Sequence, residues 1–405
     1  MGDKSFFNIQ KQLLTLYLCI AVGGIGMGVV IPLIPLTLRD QGISTTTIGL
    51  IATTMSVSGA LFAVPIGKLV DKFGSKVVLL TGLAIYGVCM LIFPFAKTII
   101  SYYIIRAIEG IGWAAIWVGT ETIINLLSSP EDRIRNLGLY GVFTGLGIGV
   151  GPLLGMTGLE RFGNYFPFII AFVISLLAML MVLFFVENIK ASYKKEKQVD
   201  SYLILGLIQL PLLAAFLYGV TETTVTSFLS LYLRELGLNS VETGTIITIF
   251  VLGGIAVPPL VGFFVKGLNK FIILLAAGLS LTACTLAFPW FKTSLLLNGG
   301  TLILGGSAGL LYVTALSIIG DRVDRSHMGT GNALFTSLYG IGSIVGPITG
   351  GVSYQYFGPR FIFYQIAAMA AVGLILILII RLTSLIYRKV LGEKETIGKE
   401  RESYE

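Results

Sequence analysis

From residue 11 to residue 386 this chain is almost continuously apolar, and its apolar stretches are too long and too many to be buried inside a water-soluble core. A helix crosses a hydrocarbon layer of ~30 Å with about 20 residues. Twelve stretches meet that length: 11–36, 45–66, 76–96, 99–126, 134–158, 165–187, 202–232, 240–265, 270–290, 293–320, 328–353 and 360–386. Charged residues are 12% of the 405, about half the share of a soluble domain. In lipid each backbone polar group must be satisfied internally, and runs of this length achieve that as helices. The expected fold is an all-α integral membrane protein with twelve transmembrane helices, spans 1 to 12.

Shifted by 195 residues, the chain overlays itself without a gap. Leu38, Arg39, Asp40 and Gly42 return as Leu233, Arg234, Glu235 and Gly237; Gly49 returns as Gly244; Phe93, Pro94, Lys97 and Thr98 return as Phe288, Pro289, Lys292 and Thr293. Gly110 matches Gly305, the series Gly145, Gly147, Gly151, Pro152, Gly155 matches Gly340, Gly342, Gly346, Pro347, Gly350, and Phe162-Gly163 matches Phe357-Gly358. Two copies of one apolar helical unit predict two pseudo-symmetric six-helix bundles with a central site between them, the plan of a membrane transporter. We place the bundles at 1–187 and 202–387, with a charged cytoplasmic linker at 188–201 and a cytoplasmic tail at 388–405. The tail alternates charges without an apolar face and reads as solvated or disordered.

The net charge of +7 would suggest nucleic acid in a soluble protein, but here the basic residues follow topology. If both termini are cytoplasmic, 21 of the 28 Lys and Arg residues fall in cytoplasmic segments, six in outer loops, and Arg106 inside the membrane. That bias predicts cytoplasmic N- and C-termini in a multi-pass plasma-membrane protein. No small-residue cleavage site follows the short polar start, so a removed signal peptide is not expected. Cys19, Cys89 and Cys284 each stand alone in an apolar run and read as core residues. Pro32 and Pro35 in span 1, Pro152 in span 5, Pro258 and Pro259 in span 8 and Pro347 in span 11 predict kinks or close helix approach.

Between spans 2 and 3 the chain reads Gly67-Lys68-Leu69-Val70-Asp71-Lys72-Phe73-Gly74-Ser75-Lys76. Gly67 and Gly74 suit a tight turn, and Lys72 and Lys76 hold the loop in the cytoplasm. Span 4 carries Arg106, Gly110 and Gly112, and span 5 carries Gly147, Gly151, Pro152 and Gly155, with Met156 where a further Gly would complete the pattern; the second copy, at Gly346, Pro347, Gly350 and Gly351, completes it. These three motifs resemble the loop signature, the span 4 motif and the span 5 antiporter motif of the major facilitator superfamily, in particular its twelve-helix drug:proton antiporters. The resemblance implies alternating access, and a role for Asp71 in locking the two halves together in one state. In the second copy Lys266 stands where Asp71 does, so the latch is expected in the first half alone.

Ionisable side chains inside the membrane are costly unless they pair or face a wet cavity, which makes them functional candidates. Arg106, Glu109 and Glu121 lie in span 4 and Glu222 in span 7. Helical spacing sets Arg106, Gly110, Trp113, Trp117 and Glu121 along one stripe, with Glu109 one turn from Arg106. Their repeat partners are Thr301, Leu304, Leu316 and, for Glu222, Met27, so each charge breaks the symmetry. Two readings stay open for Arg106 and Glu109, cavity residues or a mutually neutralising buried pair. Glu121, about 13 Å from the span centre at 1.5 Å per residue, faces either the cavity or the membrane boundary. Glu222 sits near mid-span with Tyr218 one turn away and four threonines around it, and a desolvated carboxylate there is a candidate proton or cation site. Trp113, Trp117, Tyr218 and Tyr312 are candidate aromatic faces for flat or cationic ligands, or packing residues.

No Gly-x-x-x-x-Gly-Lys-Ser/Thr loop is present, so a gradient is the expected energy source. The single histidine, His327, lies in a charged loop without ligand or triad partners. Neither an enzyme nor a cofactor or metal is expected. The partners expected are protons, a small-molecule substrate and the bilayer, with no nucleic acid and a monomeric chain. The leading expectation is proton-coupled efflux of amphipathic or cationic small molecules. The alternatives are a proton-coupled carrier of a nutrient or lipid-linked substrate, in which Arg106 meets an anionic group, and a non-transporting receptor on the same scaffold.

Overall fold

The computed structural model describes residues 2–129, 132–188, 205–264, 269–323 and 328–402. Twelve helices long and apolar enough to span a membrane follow one another: Ile9–Asp40, Thr45–Phe73, Ser75–Phe95, Ile99–Leu127, Arg135–Phe162, Phe166–Phe185, Gln209–Glu235, Ser240–Phe264, Lys270–Trp290, Ser294–Arg322, Gly331–Phe357 and Phe361–Thr383. They are spans 1 to 12. No strand occurs among the described residues. Apart from Asn188, the 188–201 linker lies outside them, as do Lys266 and His327. The last helix, Phe361–Glu402, carries on into the charged tail, so the backbone of that segment is helical.

The repeat seen in sequence has local structural causes. Spans 3 and 9 each end in one tight turn, Phe93–Phe95 and Phe288–Trp290, with Phe93 and Phe288 fully buried. Thr98 and Thr293 then cap the next helices, accepting from the N–H of Ser101 and Leu296 and satisfying donors that a helix start leaves open. Gly42 and Gly237 turn the chain after spans 1 and 7 at φ of 76° and 81°, where a Cβ would be strained. In span 1 the helix breaks at Ile31-Pro32 and resumes at Leu33, as its prolines predict.

One local expectation is corrected. The segment 67–76 is not an open loop: span 2 stays helical to Phe73, Gly67 lies inside it, and Gly74 at φ 93° makes the turn to Ser75 by itself. Nothing between Gly67 and Phe73 breaks a helix, and Val70 is buried, which holds that last turn against the bundle.

Within the first half, span 1 packs on spans 5 and 6, span 4 on spans 2 and 3, and span 3 on span 6; spans 7 to 12 repeat the pattern. The halves meet along two seams, span 5 on span 8 and span 2 on span 11, which the pseudo-symmetry exchanges. Backbone-to-backbone approach builds both the bundles and the seams. A Cβ at Gly147, Gly151 or Gly155 would strike the backbone of Ala21, Gly28 or Val29 in span 1, and one at Gly342 or Gly346 would strike Phe216 or Val220 in span 7. The glycine motif is therefore a packing face inside each half. Its prolines serve the seams: a Cβ at Gly49 would collide with the Pro347 carbonyl, and one at Gly244 with that of Pro152.

Candidate functional site

The named seam contacts lie from the end of the bundle remote from the termini to just past its middle. Thr45 Oγ1 donates to the Gly351 carbonyl at 3.2 Å, Thr53 Oγ1 to the Ile344 carbonyl at 3.3 Å, and the Leu153 N–H donates to Thr248 Oγ1 at 3.3 Å. Further along, Gly145 faces Ile255. At the remote surface Arg234 Nη1 reaches Asp40 Oδ1 at 2.5 Å, joining the ends of spans 7 and 1. Arg234 and Asp40 belong to the two copies of the Leu-Arg-acid repeat, crossed between the halves. Arg39 and Glu235, the other members, both lie within electrostatic reach of Tyr354, whose hydroxyl donates to Glu235 Oε1 at 2.6 Å. This charged closure was present in the 195-residue shift, although sequence reasoning gave it no role.

The terminal end differs. Asp71 is exposed and has no ion pair among the described residues. Lys76 Nζ donates to the Leu183 carbonyl at 2.7 Å, tying the start of span 3 to the end of span 6, and Lys72 lies 5.1 Å from the Phe73 ring. The motif thus braces the first half, with its acid in no ion pair among the described residues.

Between the halves lies an aromatic and acidic cluster. Tyr339 in span 11 donates to Glu222 Oε2 at 2.9 Å, and Tyr218, one turn before Glu222, faces the same carboxylate. Tyr218 lies 4.8 Å from the Tyr312 ring and 5.6 Å, stacked, from Tyr339. Tyr312 is within electrostatic reach of both Glu222 and Glu121, and Tyr140 of Glu121 and Tyr312. Glu121, six residues before the end of span 4, is exposed, and Glu222, midway along span 7, is half-buried. Of the expected site residues, Glu222, Tyr218, Tyr312, Glu121, Trp113 and Trp117 belong to this region, with Trp113 and Trp117 5.8 Å apart and half-buried.

Arg106 and Glu109 do not. Arg106 Nη1 meets Glu109 Oε2 at 2.7 Å, with side chains 10% and 3% exposed, and the pair lies against Tyr86 and Cys89 of span 3. Gly110 is wedged against Met55 and Ser58 of span 2. The stripe read from sequence therefore divides: its first turn packs inside the first half, and its later turns reach the central space. The mutually neutralising pair is the reading that the geometry supports.

Sequence reasoning missed Tyr140, Phe335 and Tyr339. Trp117 and Tyr140 meet edge to face at 5.3 Å, and Tyr312 and Phe335 do the same at 5.2 Å. Phe335 is the repeat partner of Tyr140, and Tyr312 that of Trp117, so the shift held the signal for both. Tyr339 had no such signal, since its partner is Thr144.

The family model for the major facilitator superfamily matches residues 16–210 and again 211–401. The chain belongs to the major facilitator superfamily. It is 27% identical over 373 residues to the MFS-type transporter YfkF of Bacillus subtilis, covering 90% of this chain and 94% of that one. It is 24% identical over 385 residues to the quinolone resistance protein NorA of Staphylococcus aureus, covering 92% and 97%. Among solved structures, a bacterial homologue of the human lysosomal transporter Spinster matches with a TM-score of 0.76 at 15% identity, over 91% of this chain and 96% of that one. That likeness is one of fold. As a member of this superfamily the chain is a multi-pass membrane transporter for small molecules.

Proposed function

We propose that this superfamily member is a proton-coupled exporter of cationic, amphipathic small molecules that works as a monomer by alternating access. One observation carries the reading: the ion pair with Glu109 removes Arg106 from the central space, so Glu121 and Glu222 face it with no basic side chain among the residues placed there. A carboxylate among aromatic faces attracts cations and flat rings. Protonation of Glu222 then competes with a bound cation, and each turnover exchanges one for the other. The similarity to NorA, named for quinolone resistance, favours export of drug-like molecules. An anionic substrate loses its main support once Arg106 is neutralised.

The positive-inside bias supports cytoplasmic termini; on that reading the sealed remote face is external and this conformation inward-open. Asp71 then engages its partner in the opposite state, at a cytoplasmic helix end across the gap. The deciding experiment loads everted membrane vesicles with a proton gradient and adds cationic dyes, organic anions, sugars or amino acids in turn. Gradient collapse by the dyes alone supports the reading; collapse by sugars, amino acids or anions alone overturns it.

Two variants test the conformational part. The Arg234 and Asp40 side chains are 53% and 47% exposed, so their pair should contribute only ~0.2–1 kcal/mol to the closed face. Asp40→Asn should therefore shift the population toward the outward-open state by at most about fivefold, measured by labelling of cysteines placed near Glu222 from the external side. Labelling at the wild-type rate would exclude the pair from gating. Asp71→Asn should slow turnover by about two- to fivefold, as loss of a helix-end contact of ~0.5–1 kcal/mol implies, with substrate affinity unchanged. An unaltered turnover rate would remove Asp71 from the latch.

A further inference from the structure

The pseudo-symmetry breaks at one address in volume as well as in charge. In the second half the rings of Tyr218 and Tyr339 stack at 5.6 Å beside Glu222 and Tyr312. The matching positions of the first half hold Gly23, Thr144, Met27 and Trp117. Where one copy places two tyrosine rings, the other has a glycine and a threonine, and a small cavity lies there, lined by these four residues together with Ile116 and Tyr140 among others. We infer that this cavity seats the slim alkyl end of the exported cation while Glu222 holds its charge, an assignment that rests on the exporter reading above.

Size and chemistry select the guest. The free space is about that of a single water-sized sphere, enough for a terminal methyl and too little for an aromatic ring. The wall is apolar, and the Thr144 hydroxyl is already spent on the Tyr140 carbonyl at 2.8 Å. A buried water needs about two to four polar partners, which this wall does not offer. An unfilled apolar void costs stability, and the second half shows that the same scaffold can fill the space with rings. Met27, buried on the wall, has an unbranched thioether that shifts to admit a longer or bent chain.

The cavity adjoins the central space. Trp117 and Tyr140 meet edge to face at 5.3 Å on its wall, and Tyr140 lies within electrostatic reach of Glu121 and of Tyr312, which belongs to the opposite half. Tyr312 in turn stands 4.8 Å from Tyr218, beside Glu222. A cation that spans these two addresses touches both halves at once, its charge on the second and its tail on the first. Gly23, Thr144 and Met27 then set the width of tail that the transporter accepts.

The test measures dissociation constants by calorimetry on the purified full chain in amphipol. The probes are tetramethylammonium, which has no tail, and pairs of alkyltrimethylammonium ions of equal carbon count from hexyl to decyl, one member linear and the other ending in a tert-butyl group. Paired members carry the same charge and nearly the same apolar area, so the width of the tip separates them. The wild type should bind at least one linear member about fourfold more tightly than its partner, the equivalent of one buried methylene. Thr144→Ile fills the cavity and should erase that preference while tetramethylammonium binds as in wild type. Because the added bulk can disturb packing, Gly23→Ala is run beside it: a Cβ there meets Ala178 and Leu83 at 3.6 Å, an ordinary contact, and narrows the cavity that Leu83 also lines. Equal binding of both members at every length by the wild type, or an undiminished preference in both variants, overturns the assignment and leaves the exporter reading intact. Failure of the wild type to bind any of these cations overturns the exporter reading and the assignment with it.

Discussion

Glu222→Gln should leave the chain folded and inserted while abolishing gradient-driven transport, with dye extrusion in everted vesicles falling to the level of passive leak. The amide matches the carboxyl in shape and still accepts the hydrogen bond that Tyr339 donates at 2.9 Å. What it loses is the ability to take up and release a proton. Its neutral state mimics protonated Glu222, so binding of cationic dyes should weaken together with coupling, by the attraction of one unscreened charge. Glu222→Asp, shorter but still titratable, should keep partial coupling. Gradient-driven extrusion at the wild-type rate by Glu222→Gln would remove the proton role and leave Glu121 as the remaining acid of the central space.

The second large effect concerns stability. Arg106→Met or Glu109→Met, made singly, strands a charge in the first half, and breaking a buried pair in this way costs about 3–5 kcal/mol. With side chains only 10% and 3% exposed, water cannot rescue the survivor, and either variant should fail to accumulate in the membrane. The double variant Arg106→Met/Glu109→Met removes both charges and fills similar volume. Such replacements are often neutral or stabilising, so the double variant should insert, purify with a thermal midpoint near wild type, and retain transport. A double variant that is well folded yet inactive would return the pair to the mechanism. Together the three variants separate scaffolding from chemistry, which a single substitution at Arg106 cannot do.

How much of this was legible beforehand depends on the interaction involved. Membrane spans follow from length and composition, and the twelve expected stretches agree with the helices to within several residues. The two-bundle plan follows from the 195-residue shift, because Phe93, Pro94 and Thr98 recur for reasons local to one turn and one cap. What sequence could not decide was which way a helix turns its charges. Arg106 and Glu121 lie on one stripe by spacing, but Gly110 pulls the first part of that stripe against span 2 and the later turns reach the central space. The helical course of 67–73 was hidden for a different reason: lysines and an aspartate read as loop, yet they extend a helix past the membrane surface until Gly74 stops it.

The two seams carry a further consequence. At one, Gly351 lies against the backbone of Thr45 and Thr46, and the Thr45 hydroxyl donates across it; at the other, Gly244 lies against the Pro152 carbonyl, and the Thr248 hydroxyl accepts from the Leu153 N–H. When the remote face parts, both jambs release a threonine hydroxyl and backbone groups that had been matched across the gap, so opening trades a small set of protein partners for water on each side alike.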